Sequence, residues 1–175
     1  MRVLENLEPK EVFSYFEDIC SIPHGSGNTQ QISDCCVNFA TEHGLKYRQA
    51  ACGNVIIWQD ATPGYEQAPT VILQGHMDMV AVKEADCTLD LEKDGLLLEI
   101  DGDWVQAKGT SLGADDGIAV AYALAILAAD DIPHPALEAV FTVGEDVGLT
   151  GATALDASDI TGQILMHMAS ANDGV

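Results

Sequence analysis

Basic residues are scarce in this chain: 7 Lys and Arg stand against 28 Asp and Glu, for a formal charge of −21 over 175 residues. Nucleic acid and anionic membrane surfaces are read by clustered cations, so neither is expected as a partner. Long apolar runs are also lacking. None approaches the roughly 20 residues of a membrane helix, and Met1-Arg2-Val3-Leu4-Glu5-Asn6-Leu7 has no apolar core of the secretory type. There is no Cys-x-x-Cys pair, and the five cysteines (20, 35, 36, 52 and 87) make an odd count. That fits reduced thiols and a cytoplasmic setting. Cys35 and Cys36 fall in a helical pattern and read as packing residues. What the chain does have is 47% hydrophobic residues, enough for one domain with a proper core spanning 1–175. Its acid excess reads first as surface solubility, although an acidic pocket would also suit divalent cations.

The pattern along the chain alternates helices and strands. Pro9 opens a helix that places Val12, Phe13, Phe16 and Ile19 on one face. Thr29 is placed to cap a second helix, with Ile32, Cys35, Cys36 and Phe39 inward and Gly44 ending it. Strands are expected over 45–49, 54–59, 69–74, 104–108, 137–143 and 163–168. Residues 81–103, acidic and turn-punctuated, read as a hairpin insertion beside the site. An Ala-rich helix over 118–129 is apolar nearly all round and so is expected to be buried. Such alternation indicates a layered α/β domain.

Chemistry concentrates at three points along this pattern. In Gln74-Gly75-His76-Met77-Asp78-Met79-Val80, His76 and Asp78 are two residues apart in an extended segment and share a side. An imidazole there can reach a metal while the carboxylate fixes its ring. Asp115 and Asp116 lie in a Gly-flanked loop, and Glu145 and Asp146 follow the strand over 137–143. Taken singly, each pair has a bland reading as a hydrogen bond, a helix cap or solvated loop charge. Together, three strand-end segments carry ligand-type residues where open α/β sheets place their sites. They read as most of the donor set of a two-metal hydrolase, which needs a bridging carboxylate, terminal ligands and a base for water.

Several segments in order carry a resemblance. They are Ser21-Ile22-Pro23 through Ser26-Gly27-Asn28, Gly53-Asn54-Val55, Gly75 to Val80, Gly113 to Ile118, and Glu145 to Ala152. The chain resembles the N-terminal part of an aminoacyl-histidine (Xaa-His, carnosinase-like) dipeptidase, in the glutamate-carboxypeptidase-type zinc peptidase family. The resemblance implies a three-layer α/β/α catalytic domain with a mixed, mainly parallel sheet, acting on small peptides with one or two Zn2+ or other divalent ions. Carried over by position, His76 matches a terminal metal ligand and Asp78 the carboxylate supporting it. Asp115 matches the bridging ligand, with a cis peptide bond expected between it and Asp116. Glu145 matches the general base, and Asp146 stands where a ligating Glu is usual.

The departures carry expectations too. Where the family usually reads Asn-x-Asp-Ser-Glu, this chain has His167-Met168-Ala169-Ser170-Ala171. Ala169 cannot bind a metal, and His167, on the same face, is the alternative donor or else a packing residue. The family's lid and dimerisation domain and its second catalytic segment have no counterpart in these residues. Weak or absent turnover is therefore expected, with self-association through the apolar surface the second segment would cover. The alternative reading is a non-catalytic metal-binding or interaction domain that keeps the peptidase fold.

Overall fold

Two parallel and two antiparallel pairings build the central sheet of the computed structural model, which describes residues 2–169. Helix α1 (Lys10–Cys20) begins after Pro9 and buries Val12, Phe16, Ile19 and Cys20, the i, i+4, i+7, i+8 stripe that seats a helix on a core. Helix α2 (Gln30–Glu42) buries Ile32, Ser33, Cys36, Phe39 and Ala40. Thr29 precedes it but makes no side-chain capping bond. Its φ of −105° and ψ of 0° depart from the extended backbone that aims a capping oxygen at the first turn. Gly44, at φ +65°, ends the helix as expected, and the Leu45 amide turns back to the Ala40 carbonyl at 2.8 Å.

The strands are β1 (Lys46–Gln49), β2 (Val55–Gln59), β3 (Val71–His76), β6 (Leu137–Thr142) and β7 (Ile164–His167), in the order β1-β2-β6-β3-β7. Strand β2 is antiparallel to both β1 and β6, whereas β3 runs parallel to β6 and β7. The mixed character expected of the sheet is present, with parallel pairing confined to the three strands that carry the site. Strands β4 (Leu98–Asp101) and β5 (Trp104–Ala107) form a separate hairpin. The insertion therefore contributes its strands later than the acidic stretch suggested, across Gly102.

Alternation assigns the two faces of the sheet. Val55, Ile57, Leu73, Leu137, Ala139 and Phe141 face one continuous core shared with α1, α2 and α3 (Ala114–Ala128). Helix α3 is buried along most of its length, at Ala119, Val120, Ala121, Ala123, Leu124, Ala125 and Leu127, as its apolar circumference requires. On the opposite face the buried Glu138 accepts bonds from the Thr161 hydroxyl at 2.6 Å and the Gly162 amide at 3.0 Å. It thereby ties the segment before β7 to the middle of the sheet. Helix α4 (Thr150–Thr153) lies on the loop that follows β6. Cys36 is buried in the core and all five cysteines are free thiols.

Candidate metal centre

Strands β3 and β6 run side by side with Gly75 opposite Phe141 and His76 opposite Thr142. Their C-terminal ends therefore deliver His76, Asp78 and the 143–151 loop to one rim. Helix α3 brings its N-terminus there, with Gly113 at φ +70° and the Asp115–Asp116 peptide bond cis, the isomer the resemblance implies. Neither Asp115 nor Asp116 has helical dihedrals, so the regular helix starts beyond them. A Cβ on Gly75 would lie 3.0 Å from both the Ala119 Cβ and an Asp116 carboxylate oxygen, so a glycine here lets β3 approach α3 closely.

His76 is 3% exposed, and Asp78 and Asp116 are each 1% exposed. The imidazole Nδ1 meets the Asp78 backbone carbonyl at 2.9 Å, while the nearest Asp78 carboxylate oxygen is 3.6 Å away. Asp78 thus holds the ring through its backbone carbonyl, while its carboxylate adds its charge beside the same nitrogen. Nδ1 must carry a proton to donate to a carbonyl, so Nε2 is the nitrogen that a cation would take after displacing its proton. It faces Asp115 Oδ1 at 3.2 Å. The Asp78 carboxylate is occupied otherwise, accepting from the Ser26 hydroxyl at 2.7 Å and from the Glu145 amide at 3.2 Å. Asp116 accepts the His76 amide at 3.2 Å through Oδ2, and its buried Oδ1 has no partner among the described residues.

The electrostatics follow from this burial. For Asp78, burial alone would raise the pKa, but His76, the Ser26 hydroxyl and the Glu145 amide hold it down at about 2. Burial would likewise lower the His76 pKa, yet the neighbouring Asp78 and Asp116 carboxylates raise it to about 9. Burial pushes Asp116 up to about 6, against the opposing His76 amide and ring, with the Asp115 charge adding to the rise. Partial desolvation and the Asp78 charge hold Asp146 above its ordinary range.

Among the described residues, two triads have donor atoms within 4.8 Å of one another, His76-Asp78-Asp146 and His76-Asp115-Asp116. The expected ligands His76, Asp115 and Asp146 are thus split between two clusters that share the imidazole. Glu145 is in neither triad; its side chain is exposed and its amide is anchored on Asp78. His167 is also in neither. Its Nδ1 pairs with the Gln74 side chain, and β7 sets His167 opposite Gln74. Continuing that register would place Ala169 level with His76; Ser170 and Ala171 lie outside the described residues. Sequence reading missed the roles of Ser26 and Asp116. Asp116 was visible as half of an acidic pair, whereas nothing near Ser26 in sequence connects it to a residue 52 positions away.

A divalent ion fits these residues. The donors are oxygen and imidazole nitrogen, which suit zinc and harder cations. The buried Asp116 Oδ1 adds an acceptor that meets no donor among the described residues.

No family model matches the chain. It is 40% identical over 174 residues to the cytosol non-specific dipeptidase of Escherichia coli, covering 99% of this chain and 36% of that protein. The crystal structure of an aminoacylhistidine dipeptidase from Vibrio alginolyticus superposes with a TM-score of 0.94 at 42% identity, covering 98% of this chain and 35% of that one. Aminopeptidase PepT from Bacillus cereus matches with a TM-score of 0.75 at 25% identity, over 92% of this chain and 43% of its own. The chain thus spans about a third of the length of the dipeptidases it matches.

Proposed function

We propose, from the premise that this chain belongs to the dipeptidase family as a close homologue of the cytosol non-specific and aminoacylhistidine enzymes, that it carries a metal-dependent centre for hydrolysing dipeptides, those ending in His in particular. The observation that supports this is the convergence of His76, Asp78, Asp115, Asp116 and Asp146 at one sheet rim. His76, Asp115 and Asp146 would hold the ion, and zinc is the metal we propose. When bound, such an ion polarises the scissile carbonyl and acidifies water. Glu145, exposed beside the triads and fixed through its amide to Asp78, would take the proton from the attacking water. It would then return that proton to the leaving amine. Asp78 would keep the His76 ring supplied with negative charge from below. A cytosolic location, which the name of the Escherichia coli relative carries, is part of the same proposal.

A single imidazole serves both triads, and its Nδ1 is committed to the Asp78 carbonyl. One tight site is therefore expected per chain. Titration calorimetry with zinc, paired with an assay on a His-terminated dipeptide, tests the reading. One tight site with turnover abolished by Glu145→Gln supports it; absence of binding sinks it. A second reading, a metal-binding or interaction domain without turnover, is favoured by Ala169, which brings no donor where the family uses a carboxylate. Tight binding with no hydrolysis by this chain would select that reading.

A further inference from the structure

The acidic loop has a rivet at its base that lies outside both triads. Glu145 and Asp146 ride on residues 143–151, and the two ends of that loop meet at one buried side chain, Asn54, which is 1% exposed. The Val143 amide donates to Asn54 Oδ1 at 3.1 Å, and Asn54 Nδ2 donates to the Gly151 carbonyl at 2.8 Å. Backbone bonds close the same base: the Gly151 amide to the Val143 carbonyl at 2.9 Å and the Thr150 amide to the Gly144 carbonyl at 3.0 Å. Only a group with one acceptor and one donor set apart as in a carboxamide satisfies both loop ends. An aspartate in that place has nothing to donate and would set a charge against a carbonyl.

The rest of the neighbourhood is shaped around this group. A Cβ at Gly151 would lie 2.2 Å from the Val143 carbonyl oxygen and 2.5 Å from Asn54 Oδ1, so the close approach demands glycine. Asn54 itself is fixed from behind. The buried Ser33 of α2 donates to the Gly53 carbonyl at 2.6 Å, and Asn54 leads directly into β2, whose Val55 pairs with Phe141 of β6. The loop base is therefore held by the sheet and by α2. At its tip, the described hydrogen bond to the rim is that of the Glu145 amide to Asp78.

We propose that Asn54 is a positioning residue that sets the 143–151 loop so that Asp146 reaches the His76-Asp78 cluster and the Glu145 amide meets Asp78. This rests on the metallopeptidase reading for its consequence, but the clamp itself is testable without it. The test compares the parent with Asn54→Asp in the 175-residue chain by two measurements. Amide hydrogen exchange, without metal, is expected to accelerate at least tenfold across 144–150, with the β3 and β6 amides retaining their protection. Zinc affinity is expected to fall at least tenfold, and adding Asp146→Asn to Asn54→Asp should cost little more, since the clamp acts through Asp146. Loop exchange unchanged within twofold, or full additivity of the two substitutions, overturns the proposal. If the aspartate variant does not fold, Asn54→Ser, which is uncharged and keeps a hydroxyl, takes its place. Failure of both to fold would make Asn54 a requirement of the fold at large and would equally overturn a positioning role. A parent chain that binds no zinc would sink the metallopeptidase reading while leaving the exchange result to decide the clamp.

Discussion

The two halves of the candidate centre differ in how they are held. His76, Asp78 and Asp116 are buried at the ends of β3 and α3, and nearly every polar atom among them has a partner. Asp115, Glu145 and Asp146 stand on the solvent side, with the Asp115 side chain 58% exposed. Burial makes the first half a rigid, strongly perturbed charge cluster, since desolvation magnifies each neighbouring charge. The second half keeps its freedom and is placed by backbone, through Asn54 and the Glu145 amide. A site divided in this way has a preformed floor and an adaptable rim. Floor and rim should therefore fail differently when altered.

The sharpest contrast is between His76 and Glu145. His76→Ala removes the donor common to both triads and should weaken zinc binding by more than about a hundredfold. Glu145→Gln keeps its amide anchor and touches neither triad, so affinity should stay within about threefold, while any dipeptide turnover falls by about two to four orders of magnitude. Calorimetry on the two variants checks both. Equal losses of affinity would erase the distinction between floor and rim.

Stability should separate the halves next. Asp78→Ala removes a buried carboxylate that accepts from the half-buried Ser26 hydroxyl and the Glu145 amide, at a cost of about 2 kcal/mol in urea unfolding. Asp115→Ala and Glu145→Ala remove exposed side chains and should stay within about 0.5 kcal/mol of the parent. A rim substitution as costly as Asp78→Ala would mean that the rim is also part of the packed structure.

The pH dependence tests the floor alone. With its pKa raised to about 9, His76 is protonated at neutral pH in the metal-free chain, and a cation must displace that proton to bind. Zinc affinity should therefore climb by about tenfold per pH unit through neutrality and level off near pH 9. The Asp78 carboxylate, held at about 2, stays charged across this range and contributes no slope. A flat profile between pH 6 and 8 would show that the imidazole is already neutral there.

Much of this arrangement was legible in the sequence, for reasons that can be located. Helical spacing at Val12, Phe16 and Ile19, and at Ile32, Cys36 and Phe39, marked the two helices correctly because burial on one face enforces that period. His76, Asp115 and the Glu145-Asp146 pair were readable as a candidate site because each lies at a strand end or a glycine turn. What could not be read was long-range and backbone-mediated. The Asp78 carbonyl accepts from the imidazole while its carboxylate stands slightly farther off; a two-residue spacing does not fix that division. Ser26 and Asn54 reach the site across 52 and 97 residues of chain, and no local pattern encodes such a partner. The Thr29 cap failed for a similar reason: composition allowed it, and the dihedrals did not.

The smallest expected effect concerns His167. It lies on β7, at the edge of the sheet, where Ile164, Leu165 and Met166 are all exposed. Its ring nitrogen is engaged by the Gln74 side chain, level with a residue two positions before His76. Two residues along a strand amount to roughly 6–7 Å, whereas a zinc–nitrogen bond requires about 2.0–2.1 Å. To serve as a ligand, the ring would have to leave Gln74 and bridge that offset, giving up a hydrogen bond in the process. His167→Ala should therefore change zinc affinity by less than about twofold, in contrast to His76→Ala on the neighbouring strand. A loss of tenfold or more would make His167 the donor that stands in for the carboxylate absent at Ala169, and would extend the buried floor of the site onto the edge strand.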